Sequence, residues 1–211
     1  MTDRLADAFA RIDAINADDP TTIDVDGGTR PREVVYSELM TDWVRRLDPE
    51  ADDTQLLAAR AHHLRRWSIP RDSYPEGRSG YLRWRKRLKE QHAEEVVALL
   101  EPAGYSPEEI ERVQVIIRKE GLGRDPDVQV HEDALCLVFL ETQALALAGE
   151  LGEHKTVAVL HKTMKKMSPE GVLAALVLDL HPAVRDLVLR AAPSPTGTMF
   201  GDARDNEETP S

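Results

Sequence analysis

The fold class predicted by the sequence is all-α, one domain of about eight or nine helices. Three observations predict it. Apolar residues recur every three or four positions over most of the chain, and several segments open on a capping residue followed by proline. No segment alternates apolar and polar residues convincingly. VQVIIR and LCLVFL are β-like locally, but they have helical flanks and lack turn punctuation.

The elements follow in order. Leu5, Phe9, Ile12 and Ile15 mark one face of a first helix over 3–17, which stops in the polar stretch NADDPTT. Gly27-Gly28 marks a loop, and Pro31 takes the first position of a second helix carrying Val35, Leu39, Trp43 and Leu47. Asp52 or Asp53 caps a third, with Leu56, Leu57 and Ala59, which ends on His62-His63. From Trp67 to Gly80 the residues Pro70, Pro75, Gly77 and Gly80 prevent a regular helix, so this segment is expected to be an ordered, function-bearing loop. A helix over Tyr81–Glu101 points His92, Val96 and Leu99 inward. Ser106-Pro107-Glu108-Glu109 has the pattern of a capping box, opening a helix that runs through Val113, Ile116 and Ile117 to a stop at Gly121. VHEDALCLVFLETQALALAGEL is the most apolar stretch and the expected central helix. Helices at Lys155–Lys166, Pro169–Leu178 and Pro182–Ala191 complete a domain over 1–192, with its core at 31–150, the N-terminal helix at 3–17 and the C-terminal helices at 153–191. The polar segment 193–211 is expected to be a disordered tail.

Composition narrows the function classes. Hydrophobic residues make up 41% of the 211 but aromatics only 5%, so the core must be mainly aliphatic. The single cysteine, Cys136, excludes a disulfide framework and fits a reducing compartment. No apolar run reaches the roughly 18 residues of a membrane helix, and MTDRLADAFARID has acids where a signal peptide needs basic and then apolar residues. The expected setting is cytoplasmic, with no membrane partner.

A net charge of −11 disfavours long polyanions, but the charge is unevenly distributed. Between Arg60 and Lys89 there are ten Lys or Arg and two acids, a segment of +8 that leaves −19 for the rest. Its cations, Arg65, Arg66, Arg71, Arg78, Arg83 and Arg85 among them, are interleaved with Trp67, Tyr74, Tyr81 and Trp84. Arginine grips phosphate or carboxylate bidentately and stacks on rings, so the segment suits a pocket for a small phosphorylated or nucleotide ligand. The alternative is a solvated helix face whose arginines pair with acids elsewhere. Single-stranded nucleic acid, tRNA included, would use the same residues and is a third reading.

Four histidines have suggestive contexts: His62 and His63 at a helix end, His92 between acids, and His131 before Glu132-Asp133. Imidazoles and carboxylates projecting inward from several helices can build a metal or phosphate site, although buried structural histidines look the same in sequence. His154, His161 and His181 read as surface or helix-end residues. Lys166-Met167-Ser168 echoes a signature of class I aminoacyl-tRNA synthetases, but without the accompanying His-x-Gly-His element; Ser168-Pro169-Glu170 reads as a helix cap.

The blocks IDAINADDP, AARAHHLRRWSIPR, YPEGRSGYLRWRKRLKEQHAEE and VQVHEDALCLVFLE resemble an uncharacterised bacterial and fungal family, a domain of unknown function. Some of its members carry the label glutamyl-tRNA synthetase. The helix order is also similar, distantly, to the HD superfamily of metal-dependent phosphohydrolases. That resemblance implies an HD-like core and a divalent metal as cofactor, with His63 as the histidine of the His-Asp pair, His92 as a further histidine, Lys119 where another histidine is often found, and Asp133 as the late aspartate. It also implies departures: Tyr36 or Ser37 stands for the first histidine and Leu64 for the paired aspartate, while Glu132, His62 or Glu38 are candidate substitutes.

The expectation drawn from this is a phosphohydrolase-like ligand pocket. Catalysis would fall to His63, His92, Asp133 and Lys119, and metal binding to His63, His92, Glu132 and Asp133. Arg65, Arg66, Trp67, Arg71, Arg78, Arg83, Trp84 and Arg85 would hold the ligand. A noncatalytic binding or scaffold module is the competing expectation.

Overall fold

The computed structural model describes residues 4–25 and 27–193, so the tail expected at 193–211 lies, apart from Pro193, outside the described residues. Among those described, the structure is all-α apart from one small hairpin, with ten α-helices.

Helix α1 (Arg4–Asn16) buries Ala8 and Ile12 completely. Strands β1 (Thr22–Val25) and β2 (Gly28–Pro31) then pair antiparallel, with Thr22 opposite Pro31 and Val25 opposite Gly28. This hairpin departs from the strand-free expectation. Each strand has four residues, too few for alternation to stand out in sequence, and Gly27 supplies the positive φ its turn needs. Pro31 ends β2 and so sits just before α2 (Arg32–Leu47), outside its first turn. Helix α3 (Asp53–Arg60) opens on a full capping box between Asp52 and Gln55. It stops at Arg60, so His62 and His63 lie beyond its end, in a run of turns that reaches Arg65 in the left-handed region, φ 48°.

Two short 3-10 turns, Arg66–Ser68 and Arg71–Ser73, lead to α4 (Gly77–Leu100), which starts four residues before the expected Tyr81. Gly80 allows this early start. A Cβ there would lie 1.8 Å from the Pro75 carbonyl oxygen, so only glycine lets the loop fold back on the first turn of α4. Helix α5 (Pro107–Arg118) has the expected Ser106/Glu109 capping box but ends earlier than Gly121, with Lys119 in the left-handed region at φ 60°.

The apolar stretch expected as one central helix is two: α6 (Pro126–Thr142) and α7 (Ala144–Leu151), bent by 63° at Gln143. This break accounts for ten helices where nine segments were expected. No single described helix is long and apolar enough to cross a membrane. Helices α8 (Glu153–Met164), α9 (Pro169–Val177) and α10 (Pro182–Ala191) are the last helices among the described residues, and Ser168 caps α9 by accepting from the Gly171 N–H.

The buried side chains form two apolar clusters. One joins α1, α3, α4 and α5 through Ile12, Leu57, Leu64, Val96 and Ile116; the other joins α2, α6 and α8–α10 through Met40, Leu137, Leu160 and Leu187. The core therefore takes in α1 and α8–α10 as well as 31–150. Helix α6 contributes to both clusters, Val128 to the first and Leu137 to the second. Near its middle, where they meet, the interior is polar.

Candidate functional site

On α4, Arg85, Leu88, Lys89 and His92 stand at i, i+3, i+4 and i+7, one stripe of the helix. His131 and Leu135 on α6, Ile117 and Lys119 at the end of α5, and His62, His63 and Arg66 beyond α3 meet that stripe around a cavity of about 30 Å³. Four imidazoles and four cations thus share one small space. The His62 and His63 rings stack with centroids 3.9 Å apart, His63 lies 6.0 Å from His92, and His62 lies 6.5 Å from His131.

Hydrogen bonds fix the ring nitrogens. His62 Nδ1 bonds the Ala59 carbonyl at 2.9 Å and His92 Nδ1 the Leu64 carbonyl at 2.7 Å. A carbonyl only accepts, so each Nδ1 carries the hydrogen and each Nε2 of the neutral ring is a bare acceptor. His63 Nδ1 meets Oε2 of the buried Glu33 at 3.0 Å, while Arg32 lies 3.2 Å from Oε1 of the same carboxylate. Among the described residues five buried side-chain atoms have no partner, and three of them, His62 Nε2, His92 Nε2 and His131 Nδ1, belong to histidines lining this cavity.

Burial keeps the imidazoles neutral. It is the largest cause pushing His92 down to about 4 and His131 down to about 3, with Lys119 adding to the latter. His62 and His63 are also held well below the ordinary histidine range, by burial first and then, for His63, by the neighbouring Arg66. Lys119 is buried and ion-paired with Glu132; burial lowers its pKa against the opposing pull of that carboxylate. Burial, followed by Arg85, lowers Lys89 as well.

Of the expected site residues, His63, His92, Lys119, Arg66 and Arg85 come together here. Asp133 does not line the cavity. Its Oδ1 accepts from the Ser168 N–H at 2.9 Å and from Gln129 Nε2 at 2.9 Å, and its Oδ2 accepts from the Ser168 hydroxyl at 2.5 Å. It anchors the start of α9. Two residues along a helix rotate the side chain by about 200°, so Asp133 cannot share the face of His131. Glu132 is engaged by Lys119, with Lys166 at 3.8 Å from its other oxygen.

The donor set does not fit a divalent metal. Among the described residues no three His, Cys, Asp or Glu side chains are arranged to hold one, and the carboxylates assigned to it are already bonded. The four cations around the cavity would also repel a dication.

The remaining arginines and tryptophans separate by role. Trp84 is buried, donates from Nε1 to the Ile69 carbonyl at 2.8 Å and carries the Arg66 guanidinium 4.8 Å above its ring. Trp84 thus holds the loop on α4 and positions Arg66. Arg71 donates to the Tyr74 and Pro75 carbonyls, bracing its own loop beside an open concavity of about 770 Å³. Arg65 lies 3.9 Å from Glu95 at the surface. Arg78 and Arg83 are exposed, and Trp67 is half-buried; none of these three lines the cavity.

Sequence reasoning missed Lys89, Arg32 and Glu33. Lys89 has a legible signal, its i+4 spacing from Arg85. Glu33 has none, because only long-range packing brings it to a histidine thirty residues away.

The fold and cavity define an all-helical protein with a buried, histidine-rich cationic pocket. The particular family follows from sequence: residues 6–188 match the model of a domain of unknown function, DUF4202, and the chain belongs to that family. No curated protein and no solved structure matches the chain.

Proposed function

We propose that the cavity binds a small phosphorylated molecule through its phosphoryl group. The observation carrying this is that three buried imidazole nitrogens without a partner belong to histidines that line one cavity together with Arg66, Arg85, Lys89 and Lys119. Buried polar atoms ordinarily find partners, and an exception marks a place where something else supplies them. The cations offer donors to phosphoryl oxygens, and His62 Nε2 and His92 Nε2 accept from a P–OH or from a water beside it. A cavity of about 30 Å³ is too small for an organic body, which must lie outside. Adjoining clefts of about 240 Å³, by Arg32, Tyr36 and Gln143, and about 330 Å³, by Lys86 and Lys166, are available to it.

Two fixed acceptors beside four cations also suit a water poised next to a phosphoryl group. That favours phosphohydrolase activity as the chemistry to assay.

The test is the melting temperature of the full chain with inorganic phosphate and a panel of phosphomonoesters. Phosphate is expected to raise it, and Arg85→Gln to weaken phosphate about tenfold or more, since a charged hydrogen bond is worth roughly 1.5–3 kcal/mol. No response to phosphate or any ester at millimolar concentration would overturn the proposal. Binding without phosphate release would make this a noncatalytic binding module. The tRNA reading ends if no affinity for tRNA is found at low salt.

A further inference from the structure

Beside the cavity, and sharing Arg85, Lys89 and Lys119 with it, lies a second concentration of positive charge that the phosphoryl site does not explain. Leu82, Arg85, Lys86 and Lys89 stand at i, i+3, i+4 and i+7 on α4 and form one wall of the cleft of about 330 Å³. Lys119 and Lys166 close it from the other side. Five cations thus surround one acid, Glu132, whose oxygens are already engaged by Lys119 and Lys166. Arg85 meets the neutral Tyr81 hydroxyl at 3.4 Å, which leaves its charge unbalanced, and Lys89 Nζ donates to the Arg118 carbonyl. Lys86 lies 3.8 Å from Glu90, an exposed pair of little strength.

Arg85, Lys89 and Lys119 line both the histidine cavity and this cleft. A ligand with its first anionic group among the histidines can therefore extend across these three residues to a second, held by Lys86 and Lys166. Leu82 and Leu122, both partly exposed, flank the cleft with an apolar surface for a carrier. We infer, resting on the phosphoryl-binding reading above, that the ligand is a diphosphate, one phosphate seated in the histidine cavity and the next in the Lys86/Lys166 cleft.

The experiment is calorimetric titration at low ionic strength with inorganic phosphate, with pyrophosphate and with ADP, on the full chain and on the double variant Lys86→Ala/Lys166→Ala. Both lysines are exposed enough for the variant to fold, which its melting temperature checks. Pyrophosphate is expected to bind at least tenfold tighter than phosphate, and the double variant to lose that margin with phosphate affinity as the reference. Phosphate binding with no gain for pyrophosphate overturns the diphosphate and leaves the phosphoryl site standing. A gain untouched by the double variant overturns the placement in the cleft, and no binding of either anion overturns both readings. Given the gain, ADP as tight as pyrophosphate places the diphosphate on an organic carrier; weak ADP restricts it to the inorganic anion, and either result supports two adjacent subsites.

Discussion

Helix α6 carries two buried polar clusters on opposite sides, and they differ in one respect. Around Asp133 every donor meets an acceptor: the Ser168 N–H, the Ser168 hydroxyl and the Gln129 amide converge on two carboxylate oxygens. Around His131, two residues earlier, three imidazole nitrogens are buried without a partner, and their histidines share a cavity lining with four cations. The first cluster completes the fold; the second is completed only by something from outside. A residue's type and burial do not separate these roles, whereas its unmet hydrogen bonds do.

The largest expected effect is acid unfolding driven by the histidine side alone. His92 and His131 are depressed to about 4 and about 3, and His62 and His63 are depressed too. Below the ordinary histidine pKa near 6.5 the unfolded chain therefore binds more protons than the folded one, so stability falls as pH drops toward 4. His92 and His131 each remove roughly 1.4 kcal/mol per pH unit over that window, several kcal/mol together by about pH 4, and His62 and His63 act in the same direction. Asp133 has the opposite sign, because burial raises its pKa and its protonation in acid favours the folded state. Urea melts between pH 7 and 4 should show a steep loss; a flat profile would break the contrast.

Next in size is Asp133→Ala, expected to cost about 3 kcal/mol by stranding the donors at the start of α9. Asp133→Asn should also destabilise, since three donors point at a group that would then present a donor of its own. In either variant the folded fraction should still bind phosphate. Loss of binding by a folded variant would return Asp133 to the ligand site.

His131→Leu reverses that signature. Removing a buried nitrogen without a partner should leave stability unchanged or raise it by up to about 1 kcal/mol, while the thermal response to phosphate disappears. A large loss of stability would mean that His131 is structural.

Local features were legible in the sequence and long-range ones were not. The caps at Asp52, Ser106 and Ser168 depend on residues within four positions and stand as expected. The break at Gln143 was not legible, because no glycine or proline marks it. Within the site, His63 and His92 lie on different elements with rings 6.0 Å apart, whereas Asp133, which the HD resemblance pairs with them, turns to Ser168 instead. Helical rotation alone shows that His131 and Asp133 point apart; which of the two faces the histidines depends on how α6 packs between two clusters. Trp84 and Arg71 read as ligand contacts because aromatic and cationic residues serve loops and ligands alike.

The smallest effect tests how far the site extends along the basic segment. Arg65 and Lys119 are the non-glycine residues with positive φ among those described, and both border the histidine region. A left-handed residue costs roughly 1–2 kcal/mol, part of which glycine recovers against its own entropic cost of about 0.5–1 kcal/mol. Arg65 is half-exposed, its contact with Glu95 is 3.9 Å long, and its carbonyl still accepts from Gln91 after substitution. Arg65→Gly should therefore raise stability by a few tenths to about 1 kcal/mol in urea and leave the phosphate response intact. Lys119→Gly relieves the same backbone strain but strips buried Glu132 of its ammonium, so it should lower stability and phosphate affinity together. If Arg65→Gly also abolished the phosphate response, the boundary drawn here would be wrong and the whole arginine run would belong to the site.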